Sequence, residues 1–335
     1  MYLEYFGLKV EPFNLAPDPK FLFLSEGHKE ALARLQFGVE MRKGLIVLTG
    51  EVGAGKSTLV QSLVANQKPK QNTALIINPR IIGRNLIPNI CLEFGIDLDF
   101  KEMSKADILN ILYEYILKKS FYDENFTLII DDAHDLNPDQ FDDVLLLSKI
   151  ETTTRQLLQV VLVGLPDMLN KLKSPEMLSL FQRIQIQYHL KPFSYSETQN
   201  FLLHRLAQAG HPRQDLFKAD AVQRIFQLSK GIPRTICVIA SNALLYAYLN
   251  GLKKVDYQVI NAASDESLQE AATLEEEREM IQIKDKFPPH LKEKPRTLRR
   301  KHRWLKWLMY GILFIIAFIS LNIIAQYLIQ YFNLF

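Results

Sequence analysis

The amino-acid sequence predicts an α/β protein with a parallel sheet and helices on both faces, followed by an α-helical module and an apolar helix. Three observations lead to this fold. Apolar β-type runs alternate with helical patterns over residues 1–190, as in a parallel sheet with crossover helices. Helical patterns alone fill residues 191–263, and an uncharged apolar run closes the sequence. A chain of 335 residues has room for two folded cores.

Apolar runs predict the strands of the first domain, and stretches of helical periodicity lie between them. Each run is short and rich in Val, Ile and Leu, which is typical of a strand covered on both faces. The predicted strands are 45–49, 74–78, 126–130, 157–166 and 183–190, and the longest predicted helices are 105–119 and 139–150. The order of strands and helices predicts parallel pairing.

The second module is predicted from the residues at which three helices begin and end. The first opens at Ser196 with a capping pattern and stops at Gly210, the second stops at Gly231, and the third runs on to Gly251. Serine before a helix and glycine after it are typical helix boundaries.

A glycine-containing turn follows the first predicted strand and opens a helix. It reads "GEVGAGKST", which fits the phosphate-loop pattern G-x-x-x-x-G-K-[ST] in the strand–loop–helix context that this pattern requires. In such loops, backbone N–H groups and the helix dipole hold phosphates, the lysine neutralises the β and γ oxygens, and the hydroxyl ligates Mg²⁺. The predicted ATP-binding residues are Gly50, Glu51, Val52, Gly53, Ala54, Gly55, Lys56, Ser57 and Thr58.

Another apolar run ends in two aspartates, in the sequence "FTLIIDDAH". It delivers Asp131 to the carboxyl edge of a strand, where ligands gather in α/β sheets. We predict that Asp131 holds the same Mg²⁺ as Ser57, directly or through water, and that Asp132 orients and polarises an attacking water. The alternative is that Asp132 only caps the following loop.

With these residues identified, the chain resembles the AAA+ ATPases of the general secretion pathway protein A group over nearly its whole soluble part. The stretch "YFGLKVEPFNLAPDPKFLFLSEGHKEALARLQFGV" is similar to that family's N-terminal signature. The phosphate loop matches the family's Gly-Glu-x-Gly-x-Gly-Lys-[Thr/Ser]-Thr. The resemblance implies an AAA+ (P-loop) sheet domain with a helical lid, ATP hydrolysis with Mg²⁺, homo-oligomers, and a role in assembling a cell-envelope secretion, pilus or polysaccharide-export complex.

The resemblance also implies roles for two arginines. Arg183 lies in the Gln-Arg-Ile triplet where the family has its arginine finger, and Arg234 ends the Gly-Ile-Pro-Arg run that matches the lid's sensor arginine. From the residues alone, Arg183 could equally be a solvated arginine at a strand start. Arg234 follows a helix breaker and begins a helix, where a cation opposes the dipole, so a role at the γ-phosphate is favoured.

Two departures from the family pattern predict slow turnover. Asp132 stands where the family usually has a glutamate, and a displacement of about 1 Å can cost about a hundredfold in rate. Leu165 stands where the family usually has a glutamine, and its side chain can donate no hydrogen bond. A nucleotide-dependent switch or scaffold that hardly turns over ATP is therefore an alternative.

The end of the sequence is predicted to be a transmembrane helix. No charged residue follows Lys306, and residues 308–328 are mostly apolar, enough to cross a hydrocarbon core of about 30 Å. Eight basic residues against one acid in 292–306 carry net +7, which leaves 1–291 near −4. Positive charge flanks the cytoplasmic side, so we expect a single-pass protein of the inner membrane with its ATPase facing the cytoplasm. A buried core helix is the alternative.

The predicted organisation is an AAA+ domain at 1–190, a lid at 191–263, an acidic then basic linker at 264–303, the transmembrane helix at 304–330 and a tail at 331–335. Asn322, Gln326 and Gln330 share one helix face, which predicts pairing with a second membrane or cell-envelope protein; placement at the outer interface is the alternative. The acidic body and the membrane helix argue against a DNA-acting ATPase like the transposition regulators.

The cysteines and the isolated histidines are not predicted to take part in catalysis or metal binding. Cys91 and Cys237 lie far apart in apolar surroundings and are predicted to be reduced core residues. His28 and His134 show no metal-ligand spacing and are interpreted as structural.

Overall fold

A computed structural model describes residues 2–16, 19–82, 86–100, 102–211 and 215–264. Residues 265–335, which contain the predicted transmembrane helix, the tail and nearly all of the linker, lie outside these ranges. Within the described ranges, no helix has both the length and the apolar character that a membrane crossing requires.

Five parallel strands form the sheet, as the sequence predicts. Their order across the sheet is β2-β3-β4-β1-β5, and every neighbouring pair is parallel. The central strand β4 lies between β3 and β1, so the ends of β1 and β3 flank it. The strands are β1 (Leu45–Gly50), β2 (Gln71–Ile76), β3 (Asn125–Ile130), β4 (Leu158–Gly164) and β5 (Ile184–Leu190).

Helices cover both faces of the sheet, which explains the strands' continuous apolar character. Side chains such as Leu45 and Val47 face one core, under the helices between residues 86 and 147, whereas Ile46 and Leu48 face the other, under the helices at residues 26–40 and 56–65. Strands β1, β3 and β4 are buried along their whole length. The edge strand β5 alternates between half-buried and exposed residues up to its last residue, Leu190, which is buried. Successive side chains point to opposite faces, and the face of β5 with the exposed residues is less covered.

The helices follow the predicted order. In the described ranges they are α1 (Tyr2–Tyr5), α2 (Glu26–Glu40), α3 (Lys56–Ala65), α4 (Pro79–Ile82), α5 (Leu86–Glu93), α6 (Lys105–Ser120), α7 (Pro138–Leu147), α8 (Asp167–Leu172), α9 (Leu178–Phe181), α10 (Tyr195–Gln208), α11 (Ala219–Ser229) and α12 (Pro233–Leu249). Residues 257–264 are also helical. Short 3-10 turns occur at Pro19–Phe21, Ala133–Asp135 and Pro175–Met177.

Several predicted boundaries differ from the structure by one to three residues; for example, β2 begins at Gln71 rather than at 74, and α7 ends at Leu147 rather than at 150. Helix α10 begins at Tyr195, and its cap is Ser194 rather than Ser196: the Glu197 side chain accepts from the Ser194 backbone N–H at 2.8 Å, completing a capping box. Strand β2 ends at Ile76 because Asn78 accepts from the backbone N–H of Arg80 at 3.1 Å and turns the chain into α4.

The helical module shares its core with the beginning of the chain. Phe6, Leu8 and Phe13 are buried together with the apolar faces of α10, α11 and α12. The backbone N–H of Lys9 donates to the carbonyl of Ala209 at 2.8 Å, which fixes the segment at the end of α10. The N-terminal residues therefore form a wall of the helical module and come next to the end of β1.

Both cysteines are free and buried, as predicted. Burial raises the pKa of the Cys91 thiol to about 11 and also raises the pKa of Cys237. Both thiols therefore stay protonated near neutral pH and behave as small apolar side chains.

Candidate active site

The loop after β1 is shaped by glycines at positive φ. Gly53 has φ 77° and Gly55 has φ 98°, a backbone region that favours glycine. A Cβ on Gly53 would lie 2.7 Å from the Cβ of Arg234, and one on Gly55 would lie 2.7 Å from Nε2 of His28. Both positions therefore need glycine twice over, for the turn itself and for the close approach of a neighbouring element.

Lys56 is the first residue of α3 and points back across the loop. Its Nζ donates to the carbonyls of Gly50 at 2.8 Å and Glu51 at 2.9 Å, and the residue is buried. Burial lowers the pKa of the ammonium, and the nearby carboxylates of Asp131 and Asp132 oppose that shift. The lysine is thus held at the mouth of the loop with acidic groups on its other side.

Asp131 follows β3 directly and lies against the start of α3. The Ser57 hydroxyl lies near its carboxylate, although the two residues lie far apart in the sequence. Burial raises the pKa of Asp131, and the Ser57 hydroxyl and the backbone N–H of Asp132, which donates to Oδ1 at 3.0 Å, partly offset that shift. A hydroxyl and a carboxylate are oxygen ligands of the kind Mg²⁺ prefers, so this pair fits the ion.

Asp132 and Leu165 lie on the same wall as the phosphate loop. Asp132 adopts the left-handed conformation with φ 51°, and its side chain is 52% exposed. Leu165 follows β4, and both residues line the cleft above the sheet. The wall thus offers a solvent-accessible carboxylate from Asp132 and no polar atom from the side chain of Leu165.

The cleft has a volume of about 750 Å³ and is closed on its far side by the helical module and the N-terminal segment. That size is within the range of small-molecule sites, roughly 300–1,000 Å³. Arg205 holds the two parts together, since its Nη1 donates to the carbonyls of Pro12 at 3.2 Å and Asn14 at 3.1 Å. Its guanidinium lies over the rings of Phe21 and Phe201. An aromatic and cationic wall of this kind suits a flat heterocycle.

Arg234 joins the helical module to the phosphate loop. It is the second residue of α12, its side chain lines the cleft, and its backbone N–H donates to the carbonyl of Gly53 at 3.3 Å. The structure therefore places Arg234 where the sequence argument needs it, beside the loop that would hold the phosphates.

Arg183 lies elsewhere. Its Nη1 donates to the carbonyl of Ser148 at 3.0 Å and its Nη2 lies 3.7 Å from a carboxylate oxygen of Glu151. It precedes β5, whereas the phosphate loop follows the parallel strand β1. Arg183 and the loop therefore lie at opposite ends of the strands, roughly 20 Å apart for a seven-residue strand. Arg183 is not among the residues that line the cleft of its own chain.

The contact between His28 and the phosphate loop was not predicted from the sequence. It is buried in α2, its Nδ1 lies 2.8 Å from Oγ of Ser25, and its Nε2 lies 3.0 Å from the carbonyl oxygen of Ala54 in the phosphate loop. The contact with Ser25 could have been expected from the sequence, because a serine directly before a helix is a typical N-cap. Ser25 is the N-cap of α2. No sequence pattern signals the contact with Ala54, because it joins residues 26 positions apart.

Comparison with known proteins defines the class. A family model described as an AAA domain matches residues 39–172, from the end of α2 to the end of α8. The ORC2 protein of Aeropyrum pernix, solved in ADPNP and ADP complexes, superposes with TM-score 0.55 at 17% identity, over 76% of this chain and 71% of that one. Cdc6p of Pyrobaculum aerophilum superposes with TM-score 0.54 at 19% identity, over 76% and 70%. These two structures share the fold. The chain thus contains an AAA domain over residues 39–172 and has the AAA+ α/β fold.

A curated relative specifies the branch. General secretion pathway protein A of Aeromonas hydrophila is 36% identical over 266 residues, which make up 79% of this chain and 48% of the relative. This chain is related to general secretion pathway protein A, as its opening stretch and phosphate loop predict. It spans about half the length of that relative.

Proposed function

We propose that this chain is a membrane-anchored AAA+ ATPase that uses ATP to drive assembly of a cell-envelope complex for secretion, pilus formation or polysaccharide export. The observation that carries the nucleotide chemistry is Lys56 at the mouth of the cleft, whose Nζ donates to the carbonyls of Gly50 and Glu51, with the Ser57 hydroxyl and the Asp131 carboxylate beside it. The loop after β1, the start of α3 and the end of β3 bring together the lysine, hydroxyl and carboxylate groups that a nucleoside triphosphate with Mg²⁺ requires.

ATP binds with its phosphates on the loop between β1 and α3. Lys56 exchanges its two carbonyl acceptors, on Gly50 and Glu51, for the β and γ oxygens. Ser57 and Asp131 would hold Mg²⁺, with water and phosphate oxygens completing its shell. The ion would neutralise the charge that develops on the phosphates. The base would occupy the aromatic wall of the cleft.

In hydrolysis, a water oxygen attacks the γ-phosphorus while the bond to the β–γ bridging oxygen breaks, and ADP leaves with that electron pair. Asp132 orients the water and accepts a hydrogen bond from it. Arg234 reaches the γ-phosphate from its own chain. Arg183, which is remote from its own cleft, acts on the nucleotide of a neighbouring subunit.

The helical module acts as the lid that reports the nucleotide state. Arg234 approaches Gly53 of the loop in two ways. Its backbone N–H donates to the Gly53 carbonyl, and its Cβ is so close that a Cβ on Gly53 would lie 2.7 Å from it. Because a packed contact of this kind cannot deform continuously, a change at the phosphates is transmitted to α12. The lid motion then becomes the mechanical output of the protein.

Membrane attachment and the envelope partner are part of the proposal. The uncharged run at 307–330 and its basic flank support a single-pass inner-membrane anchor with the ATPase in the cytoplasm. The amide-bearing face of that run would dock a second envelope protein. The relationship to general secretion pathway protein A supports a role in secretion.

A nucleotide-dependent switch with little turnover is the second candidate. Leu165 favours it, because this residue lines the cleft and its side chain cannot hydrogen-bond the γ-phosphate or a water. A switch would still bind ATP, associate into oligomers and move the lid. Steady-state phosphate release separates it from the ATPase.

The test uses the purified full chain with ATP and Mg²⁺. Calorimetry is expected to detect binding that Lys56→Ala abolishes, because no other cation of the loop can replace its ammonium. Lys68→Ala is the matched control, since Lys68 is an exposed lysine paired with Glu40. Unchanged affinity in Lys56→Ala would refute the site. Phosphate release by the full chain above the level of Lys56→Ala supports the ATPase, and its absence supports the switch. Retention of the full chain in membranes after carbonate extraction tests the anchor.

A further inference from the structure

His134 lies between the aspartate pair and the end of β4. Its backbone N would lie 3.2 Å from a Cβ on Gly164, and its carbonyl accepts from Nζ of Lys171 at 2.8 Å. The side chain lines the nucleotide cleft together with Asp132 and Leu165. Its imidazole is therefore fixed at the part of the wall where Leu165 provides no hydrogen bond.

The two ring nitrogens of His134 have different surroundings. Nε2 lies 3.7 Å from Oδ1 of Asp135, and Arg80 donates to that same carboxylate. Asp135 lies nearer to the ring than Asp132 and is less exposed, 16% against 52%, so its carboxylate favours the tautomer with the proton on Nε2, which leaves Nδ1 as a hydrogen-bond acceptor. Nδ1 lies 4.0 Å from Oδ1 of Asp132. Among the described residues, it is buried with no hydrogen-bond partner.

Two acceptors 4.0 Å apart match the two protons of one water molecule. Acceptors that each lie about 2.8 Å from a shared water oxygen are separated by roughly 4–4.5 Å. Asp132 is half exposed, so its side chain can turn and admit the water. A water that donates to both groups presents its lone pair to the γ-phosphorus, and an unpartnered buried acceptor gains the bond it lacks.

We propose that His134 is a further catalytic residue of this ATPase, which holds the attacking water together with Asp132 and replaces the polar contact that Leu165 cannot make. The inference rests on the proposed ATP hydrolysis. In the step, the water oxygen bonds to the γ-phosphorus as the bond to the β–γ bridging oxygen breaks. One water proton passes to the Asp132 carboxylate or to Nδ1 of His134, and ADP takes the electron pair of the broken bond. Asp135 and Arg80 keep the imidazole in the accepting tautomer.

Two substitutions, made in the full chain, test the contributions of the two ring nitrogens separately. His134→Asn keeps a polar acceptor near the position of Nδ1, whereas His134→Gln keeps one near the position of Nε2. We expect His134→Ala and His134→Gln to lower kcat at least tenfold, and His134→Asn to retain most of it. The affinity for ATP with Mg²⁺ is expected to change less than threefold in all three, because the phosphate loop is untouched. In His134→Ala, adding Leu165→Gln is expected to restore part of the loss by supplying another polar contact.

The outcomes distinguish this inference from the proposed function. Wild-type phosphate release no higher than that of Lys56→Ala would refute the hydrolysis, and the inference with it. Wild-type release that His134→Ala leaves unchanged would refute the inference alone. Equal kcat in His134→Asn and His134→Gln, or a loss of ATP affinity as large as the loss of kcat, would also refute it, since either would indicate a structural role.

Discussion

The imidazole of His28 supports the phosphate loop from beneath, with its Nε2 3.0 Å from the carbonyl oxygen of Ala54. His28 belongs to α2, whereas Ala54 belongs to the loop between β1 and α3. The neighbouring Gly55 leaves just enough room for the ring. The conformation of the loop therefore depends on an element that contributes no group to the phosphates.

Replacing His28 should weaken both the fold and the nucleotide site. His28→Ala removes a buried hydrogen bond and leaves the Ala54 carbonyl without its donor, so the free energy of unfolding is expected to fall by about 1–3 kcal/mol. His28→Gln keeps a donor near the position of Nε2 and should recover part of that loss. Denaturant unfolding and ATP calorimetry of the two variants check this. Identical stability of His28→Ala and the wild type would contradict it.

The same histidine should make stability depend on pH. Burial lowers the pKa of His28, although the bond to Ala54 and the carboxylate of Glu197 oppose that shift. The folded pKa thus lies below the unfolded value of about 6.5. Stability from this group is full above that pH and is lost as the pH falls toward the folded pKa. Between pH 7 and 5, the melting temperature of the wild type should drop more than that of His28→Gln, and equal slopes would refute the argument.

Asp132→Asn should separate binding from hydrolysis. The side chain is half exposed, so the fold tolerates the change, and the affinity for ATP is expected to stay within about threefold. An amide cannot take a proton from water, so phosphate release should fall by about a hundredfold or more. Asp123→Asn is the control, since Asp123 is an exposed aspartate with φ 60° that pairs with Arg42. Normal turnover in Asp132→Asn would assign the catalytic role to another residue.

Arg183→Ala should act between subunits. Because Arg183 does not reach the cleft of its own chain, the substitution is expected to lower phosphate release per subunit at least tenfold where subunits associate, with little effect at high dilution. Arg34→Ala on α2 is the control, since Arg34 pairs with Glu30 within its own helix. A concentration series measures the difference. An equal loss at every concentration would exclude action in trans.

The sheet was predictable because its strands are buried on both faces. Runs such as the one in β4 (Leu158–Gly164) are buried throughout and apolar except for Gln159, and helical periodicity separates them, so parallel pairing follows. The ends of elements were less predictable. Ser194 and Ser196 both precede Glu197, and the backbone decides which of them is the cap, since Glu197 returns to the Ser194 N–H. Strand order is a property of packing and is not visible in any one run.

The placement of Lys56, Ser57 and Asp131 together was predictable because these groups are close in sequence or are delivered by the end of a strand. Lys56 and Ser57 share one loop, and Asp131 ends β3, so parallel strands bring them to one edge. The roles of Arg183 and Arg234 required the family resemblance. The contacts of His28 and His134 followed from neither.

The sequence by itself determined the class of this protein, because apolar runs, helical periodicity and a phosphate loop are local patterns that the backbone must follow. It also predicted the loop and the aspartates that the structure brings together at one end of the cleft. Only the tertiary structure decided what supports and completes that site. Packing places His28 under Ala54, the N-terminal segment against α10, and His134 4.0 Å from Asp132 at the end of a strand that offers Leu165. These are contacts between side chains and backbone of separate elements, and their distances depend on how the elements pack, which no spacing along the chain encodes.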